Sequence, residues 1–250
     1  MQQSLTTDKA WFTEWFDSSY YHLLYQHRNH DEANRFINCL LSYLQPAPGS
    51  KMLDLGCGTG RHSIQLAHYG YDVTGLDLAA SSILKAKENA TERLHFDRAD
   101  MRNPFGRELY NYIFSFFTSF GYFDEEENIK VAKNMANAVK PGGTVLIDYL
   151  NVHTALKKII PFEVVKRDDI LFYIARWFDS RFIHKRISIS NLEYASKPIF
   201  TERVHLFELK DFIEMFSQVG LTFKKAYGDY KLNDFCATNS DRLIMIFKKK

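Results

Sequence analysis

Cysteine is scarce in this chain, and what there is forms no pattern. Cys39, Cys57 and Cys236 are odd in number, scattered, and without a Cys-x-x-Cys spacing. That argues against a disulfide framework and a cysteine-rich zinc site, and fits a reducing, cytoplasmic compartment. With no Cys-x-x-Cys pair for the nine histidines to join, no metal site is expected. No apolar run is long enough for a membrane-spanning helix. The opening residues Met1–Asp8 are polar and lack the basic-then-apolar order of a secretory signal. Charge of one sign is missing too: Lys and Arg total 32 against 30 acids, for a net charge of +2. The basic clusters Lys157-Lys158, Lys166-Arg167 and Lys248–Lys250 are short and separated, whereas a nucleic-acid groove needs a clustered basic stripe.

What the chain does have is a normal folded core, with 46% hydrophobic residues over 250 positions, and one glycine-rich run. Leu53-Asp54-Leu55-Gly56-Cys57-Gly58-Thr59-Gly60 reads as a buried strand breaking into a turn that opens a helix at Arg61. Strand, glycine turn and helix together mark a nucleotide-like ligand, and two classes of ligand use them. A pyrophosphate sits over the helix N-terminus, where free N–H groups and the dipole favour an anion. Its fingerprint G-x-G-x-x-G puts the third glycine one place later than Gly60. The phosphate loop needs Gly-Lys-Ser/Thr, and here Arg61-His62 follows the last glycine. Asp54 beside the loop would repel a phosphate but suits a ligand that carries a cation.

The run Asp54–Gly60 closely resembles the glycine motif of class I S-adenosylmethionine (SAM)-dependent methyltransferases, whose cofactor has an ammonium and a sulfonium and no phosphate. The resemblance implies that Asp54, Gly56, Cys57, Gly58, Thr59 and Gly60 contact SAM. A second strand over 73–76 ends in Asp77, with the spacing at which an acid accepts from ribose hydroxyls; Leu78 lies beside it. A surface acid capping the next helix is the alternative. After a third strand over 94–98, Asp100-Met101 is similar to the pair that clamps adenine, unless Asp100 only starts a turn before Pro104. A fourth strand over 111–117 should line the ligand crevice at its carboxyl end, with Phe116 among the contacts. The Pro141-Gly142-Gly143 turn before a fifth strand over 144–149 is a further likeness. By the same similarity a tyrosine of the aromatic N-terminal segment meets the methionyl end; Tyr21, with Arg28 behind it, is the candidate.

Strands alternating with helices from about Lys51 to Leu150 imply an α/β, doubly wound, mostly parallel sheet. The resemblance makes it seven-stranded, with two final strands over 221–227 and 242–248. Residues 1–45 are expected to form an N-terminal helical cap of two helices, over 9–26 and 31–44. Residues 46–151 and 207–250 are expected to form the SAM-binding domain. Near-alternation over 182–192 and the β-favouring run 169–178 place an antiparallel β insert at 152–206, which in the family serves as substrate lid or dimer surface.

A sulfonium is already a good leaving group, so in-line methyl transfer demands alignment and exclusion of water more than acid–base help. Consequently no signature residue names the acceptor. The catalytic residue stays unknown, with His153, Tyr149 and Tyr122 as candidates near the substrate side. Phe117-Thr118-Ser119-Phe120 stands where base-amino methyltransferases carry a Pro-Pro-Tyr/Phe motif, and the Pro-Cys nucleophile is missing. The expected partner is therefore a small-molecule methyl acceptor, with a homodimer through the insert as a further candidate. RNA- or protein-directed transfer, a non-catalytic SAM sensor and a dinucleotide oxidoreductase are the alternatives.

Overall fold

The computed structural model describes residues 11–26, 30–191 and 198–250. Arg28 lies outside the described residues, as do the first residues of the expected helix over 9–26 and the end of the run 182–192. In chain order the elements are α1 (Trp11–Phe16), α2 (Ser19–Leu24), α3 (His30–Leu44), β1 (Lys51–Leu55), α4 (Arg61–His68), β2 (Asp72–Asp77), α5 (Ala80–Lys87), β3 (Leu94–Arg98), β4 (Tyr110–Ser115) and α6 (Glu125–Ala138). There follow β5 (Val139–Leu150), α7 (Val152–Lys157), β6 (Phe162–Arg167), β7 (Ile170–Phe178), β8 (Phe182–Asn191), β9 (Ile199–His205), α8 (Leu209–Gln218), β10 (Leu221–Tyr227) and β11 (Arg242–Lys249). They form two compact units: residues up to 26 with Ile159–Leu206, and residues 30–158 with Phe207–Lys250.

The larger unit is built on a seven-stranded sheet of order β10-β11-β5-β4-β1-β2-β3. β1 pairs in parallel with β2 and β4, β4 with β5, and β2 with β3; β11 alone runs against its neighbours. Chain order reverses at β1, so the carboxyl ends of β1 and β4 flank the crevice where an open α/β sheet receives ligands. Both faces of the central strands are buried, and the pleat sorts their residues. Met52, Phe114, Leu146 and Ile244 join Phe36, Ile37, Leu40, Leu66 and Ile83 in one cluster under α3, α4 and α5. Val131 and Met135 of α6 and Phe212 and Phe216 of α8 are buried in this unit too, Phe216 stacked on Phe247 and Phe212 edge-on to Tyr149. Asp148 and Tyr149, adjacent in β5, therefore point to opposite faces.

The smaller unit is a four-stranded antiparallel sheet, β6-β7-β8-β9, with α1 and α2. Phe172, Ile174, Ile187 and Ile189 are buried on one face, while Phe162, Val164 and Tyr173 stand exposed on the other, Val164 opposite Tyr173. Trp15 Nε1 donates to Glu202 Oε1 at 2.5 Å, and Lys185 pairs with the same carboxylate at 3.2 Å, tying α1 to the sheet.

Four expectations meet a different structure. The single helix over 9–26 is broken, because Ser18 takes an extended conformation and its Oγ accepts from Tyr21 N at 3.1 Å, capping a new helix. α3 belongs to the larger unit rather than to an N-terminal cap: Ala33, Phe36, Ile37 and Leu40 form one buried stripe. α7 falls on that side too, so the compact β insert begins at Ile159 rather than 152. Finally, Pro141-Gly142-Gly143 does not end an element. β5 starts at Val139, and the register jumps from Tyr110↔Val139 to Tyr112↔Thr144, leaving the segment as a bulge within the strand.

Candidate functional site

The glycine loop is fixed to β2 by its backbone. Gly56 N and Cys57 N both donate to Leu76 O, at 2.7 and 3.0 Å. Gly58 N donates to Asp77 Oδ2 at 2.8 Å, while Ala79 N donates to Oδ1 at 2.9 Å. Asp77 thus does the local work of starting α5 and also holds the loop. Leu78 turns its carbonyl to Arg98 Nε at 2.9 Å. Gly58 and Gly60 are glycines for different reasons. Both have positive φ (56° and 85°), but a Cβ at Gly60 would sit 2.6 Å from the Phe96 ring, whereas nothing lies within 4 Å of one at Gly58. Gly60 serves packing, and Gly58 fronts open space beside Thr59. Cys57 is buried, and burial, with Asp54 and Asp77 nearby, pushes its thiol well above the ordinary value, making it an inert packing residue.

Asp54, at the carboxyl end of β1, is 1% exposed. Ser63 Oγ, one turn into α4, donates to its Oδ2 at 2.6 Å, and Oδ1 has no partner. Burial pushes its pKa up to about 7, the Ser63 bond opposing and Asp77 adding to the rise. A buried carboxylate oxygen left unpaired beside an open turn is costly unless a cation or donor meets it.

Two residues beyond β3, Asp100 accepts a fork from Arg102: N to Oδ1 at 2.9 Å, Nε to Oδ1 and Oδ2 at 3.0 and 3.1 Å, Nη2 to Oδ2 at 2.6 Å. Burial would raise this carboxyl, yet the guanidinium holds it below its ordinary value. Arg102 also reaches Glu127 at 2.7 Å and lies over Phe123. Met101 O accepts from Asn134 Nδ2 at 3.0 Å, and Met101 Cε comes 3.7 Å from where a Gly56 Cβ would be. Sequence reasoning missed Arg102 and Ser63; the Asp-x-Arg spacing at 100–102 was the available signal for the first.

Just beyond β4, Phe116 is buried against Phe36, His62 and Phe114 in the core, so its ring is a packing group. Its carbonyl accepts from Ser119 Oγ at 2.8 Å. Of the candidate bases, Tyr149 is fully buried with its hydroxyl against Gly121; burial pushes the phenol well above its ordinary value, which disqualifies it as a proton acceptor. His153 is an exposed residue of α7, 3.7 Å from Glu208 Oε1. Tyr122 is half-buried at the end of the 116–122 loop. Asn151 spends its amide on the carbonyls of Ala237 and Ser240. Tyr21 belongs to the smaller unit, where its ring meets Trp15 and Phe16 edge-on at 5.5 and 5.1 Å. Among the described residues no group of three His, Cys, Asp or Glu could hold a metal ion, and no helix is long and apolar enough to cross a membrane.

A β1–glycine turn–α4 unit with acids ending β1 and β2, on a sheet whose last strand alone is antiparallel, defines a methyltransferase-type site. Comparison with known proteins agrees. Residues 52–143 match the family model described as a methyltransferase domain. The chain is 27% identical over 225 residues to the presumed methyltransferase YqeM of Bacillus subtilis (strain 168), covering 85% of this chain and 88% of that one. Among solved structures, the CcbJ methyltransferase from Streptomyces caelestis superposes with a TM-score of 0.76 at 19% identity, covering 95% and 98% of the two chains. SAM-bound CalS10, an amino pentose methyltransferase from Micromonospora echinaspora, gives 0.66 at 18% identity, covering 93% and 98%. The matched domain and the relatives indicate a SAM-dependent methyltransferase, and the seven-stranded sheet has the class I methyltransferase fold.

Proposed function

We propose that this enzyme moves a methyl group from SAM to a small-molecule acceptor, and that the carboxyl ends of β1, β2 and β3 hold the cofactor. The observation that carries the reading is Asp54: a buried carboxylate with an unpaired Oδ1, on the strand that runs straight into the glycine turn. An ammonium or sulfonium suits that oxygen, and a phosphate does not. When bound, SAM supplies a methyl on a sulfonium that leaves without acid–base help. Asp77, which ends β2 and holds Gly58 N, is the acid this reading assigns to the ribose hydroxyls. Met101 offers a soft side chain for the adenine ring, and Asp100, largely engaged by Arg102, shares what remains with the exocyclic amine.

CalS10 is by name a methyltransferase of an amino pentose, and its likeness in fold supports a small acceptor. The exposed Phe162, Val164 and Tyr173 of the smaller unit form the homodimer surface of this reading; light scattering that finds only monomer removes it. The main test is calorimetric titration with SAM and with NAD, then a labelled-methyl screen over metabolite pools, total RNA and protein extract. Label in a small molecule is the expected result. Binding of NAD instead of SAM overturns the assignment of the cofactor. Binding of SAM with no labelled product points to a sensor, and label in RNA or protein to the other acceptors.

A further inference from the structure

The segment that joins β4 to the crevice contains two successive non-glycine residues in the left-handed region, Phe117 (φ 55°) and Thr118 (φ 62°). L-residues disfavour that conformation, and a pair of them persists only where the surroundings enforce it. Here the enforcing group is visible. Phe117 N donates to Asp148 Oδ2 at 2.8 Å, and Thr118 N donates to Asp148 O at 2.9 Å. Arg242, at the start of β11, forks onto Asp148 Oδ1 through Nε (2.8 Å) and Nη2 (2.7 Å), and Nη2 also donates to Thr118 Oγ1 at 3.0 Å. Tyr230 hydroxyl adds a bond to Asp148 Oδ2 at 3.1 Å. The carboxylate is 1% exposed, and these four side-chain bonds use its acceptor sites in full.

The turn so held delivers Ser119 onto the glycine loop. Ser119 Oγ, whose one proton is shared with the shorter bond to Phe116 O, lies 3.2 Å from Gly56 O, and a Cβ at Gly56 would come within 2.6 Å of Ser119 Cβ. We propose that Asp148 and Arg242 are positioning residues: by locking Phe117–Thr118 in the left-handed turn they press Ser119 against Gly56 and fix the shape of the cofactor loop. The consequence for SAM rests on the function proposed above; the mechanical link does not.

The test uses Asp148→Asn, Thr118→Gly and the double variant of the full chain, with Arg242→Lys as a second route should Asp148→Asn fail to fold. Glycine accepts positive φ unaided, so it removes the need for the clamp at one of its two residues. The first readout is amide hydrogen exchange in residues 56–60 and 116–121 of the ligand-free protein. Asp148→Asn should speed exchange in both segments, and Thr118→Gly in the same chain should restore much of the protection. The second is calorimetric affinity for SAM, which should fall roughly tenfold in Asp148→Asn and recover to within about threefold of Thr118→Gly in the double variant. A residue that merely stabilises the fold would give additive losses. Additive losses, or unchanged exchange at 56–60 in both Asp148→Asn and Arg242→Lys, overturn the clamp. Failure of the wild-type chain to bind SAM sinks the methyltransferase reading instead, and leaves the exchange result to judge the clamp alone.

Discussion

Asp54 is the residue on which the cofactor reading turns, and its protonation makes the reading testable by pH. Its folded-state pKa of about 7 lies above the value of 3.8 it starts from. Between those values the folded chain holds a proton that the unfolded chain has lost, so this group's contribution to stability declines as pH rises from about 4 to about 7 and is flat above. A cation at Oδ1 works the other way, because it favours the carboxylate. SAM affinity should therefore fall as pH drops below 7, by up to roughly tenfold per unit, with a proton released on binding. Titrations at pH 6 and 8 in buffers of different ionisation enthalpy measure both. Wild-type affinity that ignores pH, or the same slope retained in Asp54→Asn, would remove Asp54 from the site. Asp77 gives a simpler expectation. Asp77→Ala should weaken SAM binding by about 1–3 kcal/mol through lost charged hydrogen bonds, part of it because Gly58 N and Ala79 N lose their acceptor. Asp77→Asn, which keeps one acceptor oxygen, should cost less in the same titration.

Among the elements, the glycine loop separates packing from binding. Gly60→Ala forces a Cβ into Phe96 as well as a positive φ, whereas Gly58→Ala meets only the conformational cost, about 1–2 kcal/mol. Thermal denaturation should accordingly rank Gly60→Ala as the more destabilised, while Gly58→Ala loses more SAM affinity than its stability explains. The reverse ranking would mean that the open side of the loop faces no ligand. The loop and strands β1 to β4 were legible because their signals are local: apolar runs, glycine breaks, acids at strand ends. What escaped was set by distant partners or by single caps. Ser18 splits a helix whose aromatic spacing reads as continuous. The bulge at 140–143 depends on the register with β4. The Asp148–Arg242 pair joins residues 94 apart in the chain, and only the oddity of a charge inside the run Val145–Tyr149 hinted at it. In the site, Asp54 and Asp77 stood out by their place, but Arg102 did not, since its meaning comes from folding back onto Asp100.

At the scale of the whole molecule, the division of labour follows from where residues fall. Asp54, Gly58, Asp77, Asp100 and Met101 all lie in the unit formed by residues 30–158 and Phe207–Lys250. The three tryptophans, Trp11, Trp15 and Trp177, all lie in the other unit. Calorimetry consequently registers both units as the chain melts, whereas tryptophan fluorescence reports the smaller one. A ligand that binds only the folded form stabilises it by about 2.7 kcal/mol at a hundred times its Kd. For a unit of this size that is roughly 5–10 °C in Tm. SAM should raise the calorimetric transition of the larger unit by that amount, and S-adenosylhomocysteine should act similarly, since the contacts of Asp77, Asp100 and Met101 do not involve the methyl group. The tryptophan midpoint should move less, because the groups assigned to the cofactor belong to the other unit. A calorimetric trace unmoved by saturating SAM would contradict the cofactor site, and a shift confined to tryptophan fluorescence would relocate binding to the smaller unit.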